Sequence, residues 1–186
     1  MLHMEQISYR YEIILNLINK NNHLRQIAKD IGTNHMAVKR ILDDLIKGNI
    51  LDVKVEGRNN IYSIKKTLEA QNTVNMAESY KFNKLIKKHP ELKQDLGKLR
   101  KINSKLMIIF GSYAKFNERK DSDIDIYLET EDNKIKQAVS QINKNFSVKI
   151  GKYNKSNLLI KEIEKSHIII KGLERFYEKN RFFAQT

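Results

Sequence analysis

Gly111 and Ser112 directly follow the apolar run Leu106–Phe110, and after ten intervening residues Asp123 and Asp125 stand two apart on a second apolar segment. In an extended strand this spacing puts both carboxylates on one face and Ile124, Ile126 and Leu128 on the other. Two carboxylates side by side repel each other. A divalent cation between them offsets that repulsion, and hard oxygen ligands suit magnesium. A Gly-Ser pair after a buried strand can present backbone N–H groups and a hydroxyl to phosphate, most readily where a helix begins. Asp123 and Asp125 are therefore the candidate metal ligands, and Gly111 and Ser112 the candidate phosphate-binding residues.

Several elements must position them. Residues 106–110 and 123–129 read as strands, and Ser112 to about Asn117 as a short helix. A helix over 134–144 turns Ile135, Ala138, Val139 and Ile142 inward. Phe146, Val148 and Ile150 alternate as a third strand, so its other face presents Ser147 and Lys149. A helix over 156–164, an apolar strand over 167–171 turned by Gly172, and a last helical stretch over 174–180 complete the pattern. Alternation of this kind predicts an α+β fold, a mixed sheet with helices and one face open.

The N-terminal third is organised differently. Residues 5–20 form an amphipathic helix with Ile7, Tyr11, Ile14 and Ile18 at helical spacing. Leu24–Ile31 is a second helix, Gly32 a tight turn, and Thr33 or Asn34 the cap of a third helix running to about Lys47. Residues 50–55 and 61–65 read as a hairpin about Gly57-Arg58-Asn59-Asn60. A long polar helix over 66–89, broken by Pro90, and a shorter one carrying Leu92, Leu96 and Leu99 join the two parts. The predicted organisation is thus 1–66, a helical linker over 67–103, and 104–186.

The net charge of +13 favours a polyanionic partner. Residues 104–139 are the one acidic segment, with 6 Lys and Arg against 7 Asp and Glu. Cysteine is absent, which excludes disulfides and thiolate metal sites. The five histidines (His3, His23, His35, His89 and His167) show no ligand spacing. No apolar run is long enough to span a membrane and no leader pattern opens the chain, so a cytoplasmic protein without a membrane partner is expected.

Three helices, the last two joined by a tight turn and followed by a hairpin, resemble a winged helix-turn-helix domain over roughly residues 5–66. That resemblance implies double-stranded DNA as partner. Thr33, Asn34, His35, Lys39 and Arg40 on the third helix would face base edges, and Arg58 and Asn59 at the wing tip would reach phosphate or the minor groove. Residues 104–172, with Gly111-Ser112 and Asp123-Ile124-Asp125, look like a minimal nucleotidyltransferase domain of the DNA polymerase β superfamily. That implies magnesium-dependent nucleotidyl transfer from an NTP, with Asp123 and Asp125 catalytic and metal-binding and with Gly111 and Ser112 on the phosphates. The family's third acidic residue belongs on the next core strand, where this chain offers Ser147 and Lys149. Lys149 brings a cation where the family puts an anion, and is expected to pair an aspartate or grip phosphate. The first reading is a DNA-binding, transcription-regulating protein whose second domain binds a nucleotide or a partner protein. The rival is an active enzyme transferring AMP to a protein or nucleic acid, as minimal nucleotidyltransferase antitoxins do to their HEPN-type toxins. A homodimer built on the long helix is compatible with both.

Overall fold

The computed structural model describes residues 2–184, with side chains from Ser8 onward, so Ile7 and His3 lie outside the described side chains. The described chain divides into two compact units, one running to Tyr80 and resumed from Phe183, the other Lys81–Phe182.

In the first unit α1 (Leu2–Asn19) buries Ile13, Ile14 and Leu17. Ile14 was expected inward, but Ile18 is only half-buried and Leu17 takes the inner position. Helix α2 (Leu24–Ile31) ends at Gly32, whose φ of 75° lets its N–H turn back onto the carbonyls of Ala28 and Lys29. Asn34 caps α3 (His35–Lys47), its side chain accepting a hydrogen bond from the Ala37 N–H at 2.8 Å. Val38, Ile41, Leu42 and Leu45 then point into the core, as their spacing predicts.

The hairpin is β2 (Leu51–Glu56) and β3 (Asn59–Ile64). The turn is tighter than the expected Gly57–Asn60, because Asn59 and Asn60 already pair with Glu56 and Val55. A two-residue strand, β1 (Asn22–His23), adds antiparallel to β3 and makes the sheet order β1-β3-β2. The Asn21-Asn22 pair reads as a helix stop; the structure uses Asn22 as well for a sheet pairing, with its buried amide donating to Asn16 at 3.1 Å.

Helix α4 (Leu68–Lys88) is continuous through the predicted linker and is shared by the units, its residues to Tyr80 in the first and from Lys81 in the second. Its buried stripe includes two small residues, Ala70 and Ala77, which with Val74 are fully buried.

In the second unit, a 3-10 turn (Pro90–Leu92) leads into α5 (Lys93–Lys101). Then follow β4 (Met107–Phe110), α6 (Gly111–Lys115), β5 (Ile124–Leu128), α7 (Asn133–Ser140), β6 (Phe146–Ile150), α8 (Leu158–Lys165), β7 (Ile168–Lys171) and α9 (Leu173–Lys179). The sheet order is β6-β5-β4-β7, with β4 antiparallel to β5 and β7 and with β5 parallel to β6. Parallel neighbours need a crossover, and α7 supplies it.

One face of this sheet is wholly apolar: Met107, Ile109, Ile124, Ile126, Leu128, Val148 and Ile168 cluster with Phe82, Leu85, Leu96, Leu99 and Val139. The other face is not open, contrary to expectation. Ile108, Tyr127 and Ile169 on it are buried, as are Ile160 and Ile163 of α8 and Phe176 of α9. The end that carries Asp123, Asp125 and Ser147 is accessible, and so is Lys149 further along β6. Polar residues at that end make the whole face look solvated in the sequence. Among the described residues no helix is long and apolar enough to cross a membrane.

Glu129 follows β5 with its side chain only 10% exposed and accepts hydrogen bonds from Arg175 Nε and, at 3.0 Å, Nη2, with Lys179 at 3.3 Å. Burial raises its pKa, but the hydrogen bonds and charges of Arg175 and Lys179 outweigh this and hold the carboxyl below its usual value of 4.5. A depressed carboxylate contributes stability above its unfolded pKa and loses it as pH falls through the folded one. Glu129→Gln should therefore cost about 1–3 kcal/mol at neutral pH. In urea titrations that gap should close as pH falls below 4.5.

Candidate functional site

Gly111 ends β4 and opens α6 with φ +71°, a conformation that L side chains rarely adopt. A Cβ built there would lie 2.5 Å from Asp125 Oδ2, well inside contact distance. Glycine is thus required twice at one position, once for the turn and once for the carboxylate beside it. The ladder explains the approach: Phe110, the residue before Gly111, is paired with Asp125 across the antiparallel strands. Asp125 is half-buried and Asp123, just before β5, is exposed. Phe110 provides no side-chain cap to α6, so the first N–H groups of that helix are left for another acceptor. Ser112 is half-buried within the same turn. The structure therefore brings Gly111, Ser112 and Asp125 together, with Asp123 at the same end of β5.

The register of the parallel pair decides what faces the aspartates. Asp125 is opposite Ser147, and Lys149 is opposite Tyr127, two residues further along and exposed. Lys149 thus shares the face but is not the residue beside the carboxylates; a hydroxyl is. Glu162 is exposed on α8 and 3.5 Å from Lys115 at the end of α6. Among the described residues no three His, Cys, Asp or Glu side chains are grouped to hold a metal ion. Asp123 and Asp125 at one strand end would hold a single magnesium, which would neutralise phosphate charge there. They do not by themselves make a three-carboxylate, two-ion site.

The aromatic residues after the Gly-Ser pair have separate roles. Tyr113 is buried, its ring 5.0 Å from that of His89. Phe116 is half-buried with φ +56°, unusual for a bulky side chain. Tyr153 is a packing residue: its hydroxyl donates to Glu164 at 2.7 Å and its ring meets Phe176 edge-on. His167 is a core histidine, its Nδ1 2.9 Å from the Ile163 carbonyl oxygen.

Of the candidate DNA-contacting residues, His35, Arg40, Arg58 and Asn59 are exposed, and Thr33 is half-buried. Asn34 is exposed but spends its side-chain oxygen on the cap of α3. Lys39 is ion-paired with Asp43 one turn on, so Asp43 engages one of the expected basic readers rather than standing apart. Met36, beside His35, is an exposed large apolar side chain at 66%.

Residues 96–175 match the protein family described as Polymerase beta, Nucleotidyltransferase. They carry a nucleotidyltransferase-fold domain. The match takes in all four strands of the second sheet and none of the first unit. No curated protein and no solved structure matches the chain significantly.

The domain's Gly-Ser turn and its second aspartate are mutually exclusive with a side chain at position 111. Gly111→Ala should displace Asp125 and cost about 1–3 kcal/mol through the strained φ, read as a lower midpoint in a urea titration.

Proposed function

We propose that this chain is a DNA-binding, transcription-regulating protein whose nucleotidyltransferase domain serves mainly to bind a nucleoside triphosphate. The observation that carries the DNA reading is the arrangement of the first unit, α1-β1-α2-α3-β2-β3 with sheet order β1-β3-β2, which resembles a winged helix. An exposed start to α3, with His35, Met36 and Arg40, and an exposed hairpin tip with Arg58 and Asn59 support it, as does the charge of +13. In this reading α3 lies in the major groove and the wing grips the backbone. Duplex binding by the full chain should weaken steeply between about 50 and 200 mM salt. Arg40→Ala should weaken it roughly tenfold. Absence of binding at low salt in an anisotropy titration would reject this reading.

The nucleotide reading rests on Gly111, Ser112, Asp123 and Asp125. Asp123 and Asp125 would hold magnesium, which shields the triphosphate's charge when bound. Gly111 and Ser112 would orient the phosphates through backbone N–H groups and the hydroxyl. Ser147 opposite Asp125 favours binding over rapid transfer, because it neither ligates as a carboxylate nor takes a proton from an acceptor. Ser147→Asp should add the missing acid in register. In manganese electron paramagnetic resonance the variant should take up a second ion in the presence of ATP, where wild type takes one.

The rival reading is AMP transfer to a protein or nucleic-acid hydroxyl, for which Asp125, set close against Gly111, would be one of the two metal-binding carboxylates. Partner masking or modification, in the manner of antitoxins acting on HEPN-type toxins, belongs to that reading.

A further inference from the structure

The loop from α6 to Asp123 is strapped down by a half-buried charge cluster that the proposed nucleotide site does not itself use. Phe116, in the left-handed region at φ +56°, begins it. Its carbonyl accepts a hydrogen bond from Lys88 Nζ at 3.0 Å, and the ammonium groups of Lys84 and Lys88 lie 5.2 and 5.9 Å from its ring centre. Two residues on, the Glu118 side chain is only 5% exposed. Its Oε1 meets both the Lys88 ammonium and, at 2.8 Å, His89 Nε2, while its Oε2 is buried without a hydrogen-bond partner. The other ring nitrogen of His89, Nδ1, stands 3.0 Å from Glu91 Oε1.

Carboxylates only accept, and a neutral imidazole has one N–H. Both His89 contacts are hydrogen bonds only when both ring nitrogens carry protons. Loss of one proton leaves a lone pair facing a carboxylate oxygen, in surroundings where the side chain is 14% exposed. The groups facing His89 are Glu91 from the 3-10 turn, Glu118 from the loop, Lys88 from the end of α4 and Tyr113 from α6. Glu118 stays ionised: burial raises its pKa, but the hydrogen bonds from Lys88, the backbone and His89 bring it below the usual range. The loop thus hangs on a carboxylate whose partners are one fixed cation and one titratable one.

We propose that His89 and Glu118 are positioning residues: protonated His89, together with Lys88, holds Glu118 and so fixes the loop that sets Asp123 against the Gly111-Ser112 turn, which makes nucleotide affinity fall as His89 loses its proton. This rests on the reading of that turn as a triphosphate site. The strained backbone at Phe116 is kept by the same clamp. Neither His89 nor Glu118 touches the nucleotide.

The test uses the full chain, with magnesium ATP as the probe, titrated at several values between about pH 5.5 and 8.5, the range in which an imidazole changes charge. The expected result is a several-fold loss of affinity with rising pH in wild type. That loss should follow the titration of the His89 ring read by NMR. His89→Gln should bind weakly and with a flat residual profile, whereas His89→Lys should restore affinity without the pH dependence. Glu118→Gln, which preserves shape and volume, should weaken binding at low pH more than at high pH. A wild-type profile retained in His89→Gln, or unchanged affinity in Glu118→Gln, overturns the proposal. Backbone resonances of Phe116–Asp123 give a readout free of nucleotide: they should shift with His89 titration in wild type and not in His89→Gln. If no ATP binds at any pH the triphosphate reading fails, and these resonances alone decide the clamp: absence of the shift overturns it.

Discussion

The second unit depends on the contact between Gly111 and Asp125. A strand must end, reverse into a helix, and pass a carboxylate oxygen at a distance that no side chain tolerates. The φ of +71° accomplishes the turn and the missing Cβ makes room. Each neighbouring feature keeps that approach in place. Phe110 pairs with Asp125 across the ladder, and Ile109 with Ile126 behind it. The apolar face beneath is packed by α4, α5 and α7. With one face wholly apolar and most of the other buried, a one-residue slip would turn both aspartates into the core.

The parallel pairing of β5 and β6 sets the chemistry. Had β6 been shifted by two residues, Lys149 would face Asp125 and neutralise it. The observed register gives Ser147 instead. The result is an end of the sheet with two carboxylates and a hydroxyl, polar enough to attract a cation yet short of a third anionic ligand. On the proposed reading, such a site holds a triphosphate through magnesium rather than completing its transfer, and the first unit would make the chain a nucleotide-responsive regulator.

Much of this was legible in the sequence, for physical reasons. Period-two alternation in Ile124–Leu128 and Phe146–Ile150 set which residues share a face, and the structure keeps that parity. Gly32 and Gly48, with Asn34, marked the ends of α2 and α3. What was not legible came from long-range or weakly patterned features. Strand β1 has two residues and therefore no periodicity. The stripe on α4 depends on alanines, which carry little hydrophobic signal. The covered second face depends on residues from distant segments that are buried there, Tyr127, Ile160 and Phe176 among them. Lys149 was expected at the aspartates because parity names a face but not a register. Glu118 and His89 left no trace at all: one sits in a charged loop and the other before a proline, and only the fold brings their side chains to 2.8 Å.

The most direct test of the central claim is calorimetric titration of ATP into the full chain with magnesium and with chelator, for wild type and for Asp123→Asn/Asp125→Asn. The account predicts binding that needs magnesium and is lost in the double variant, while the circular dichroism of the two proteins is the same. Binding that survives the loss of both carboxylates, or that is indifferent to the metal, would contradict it.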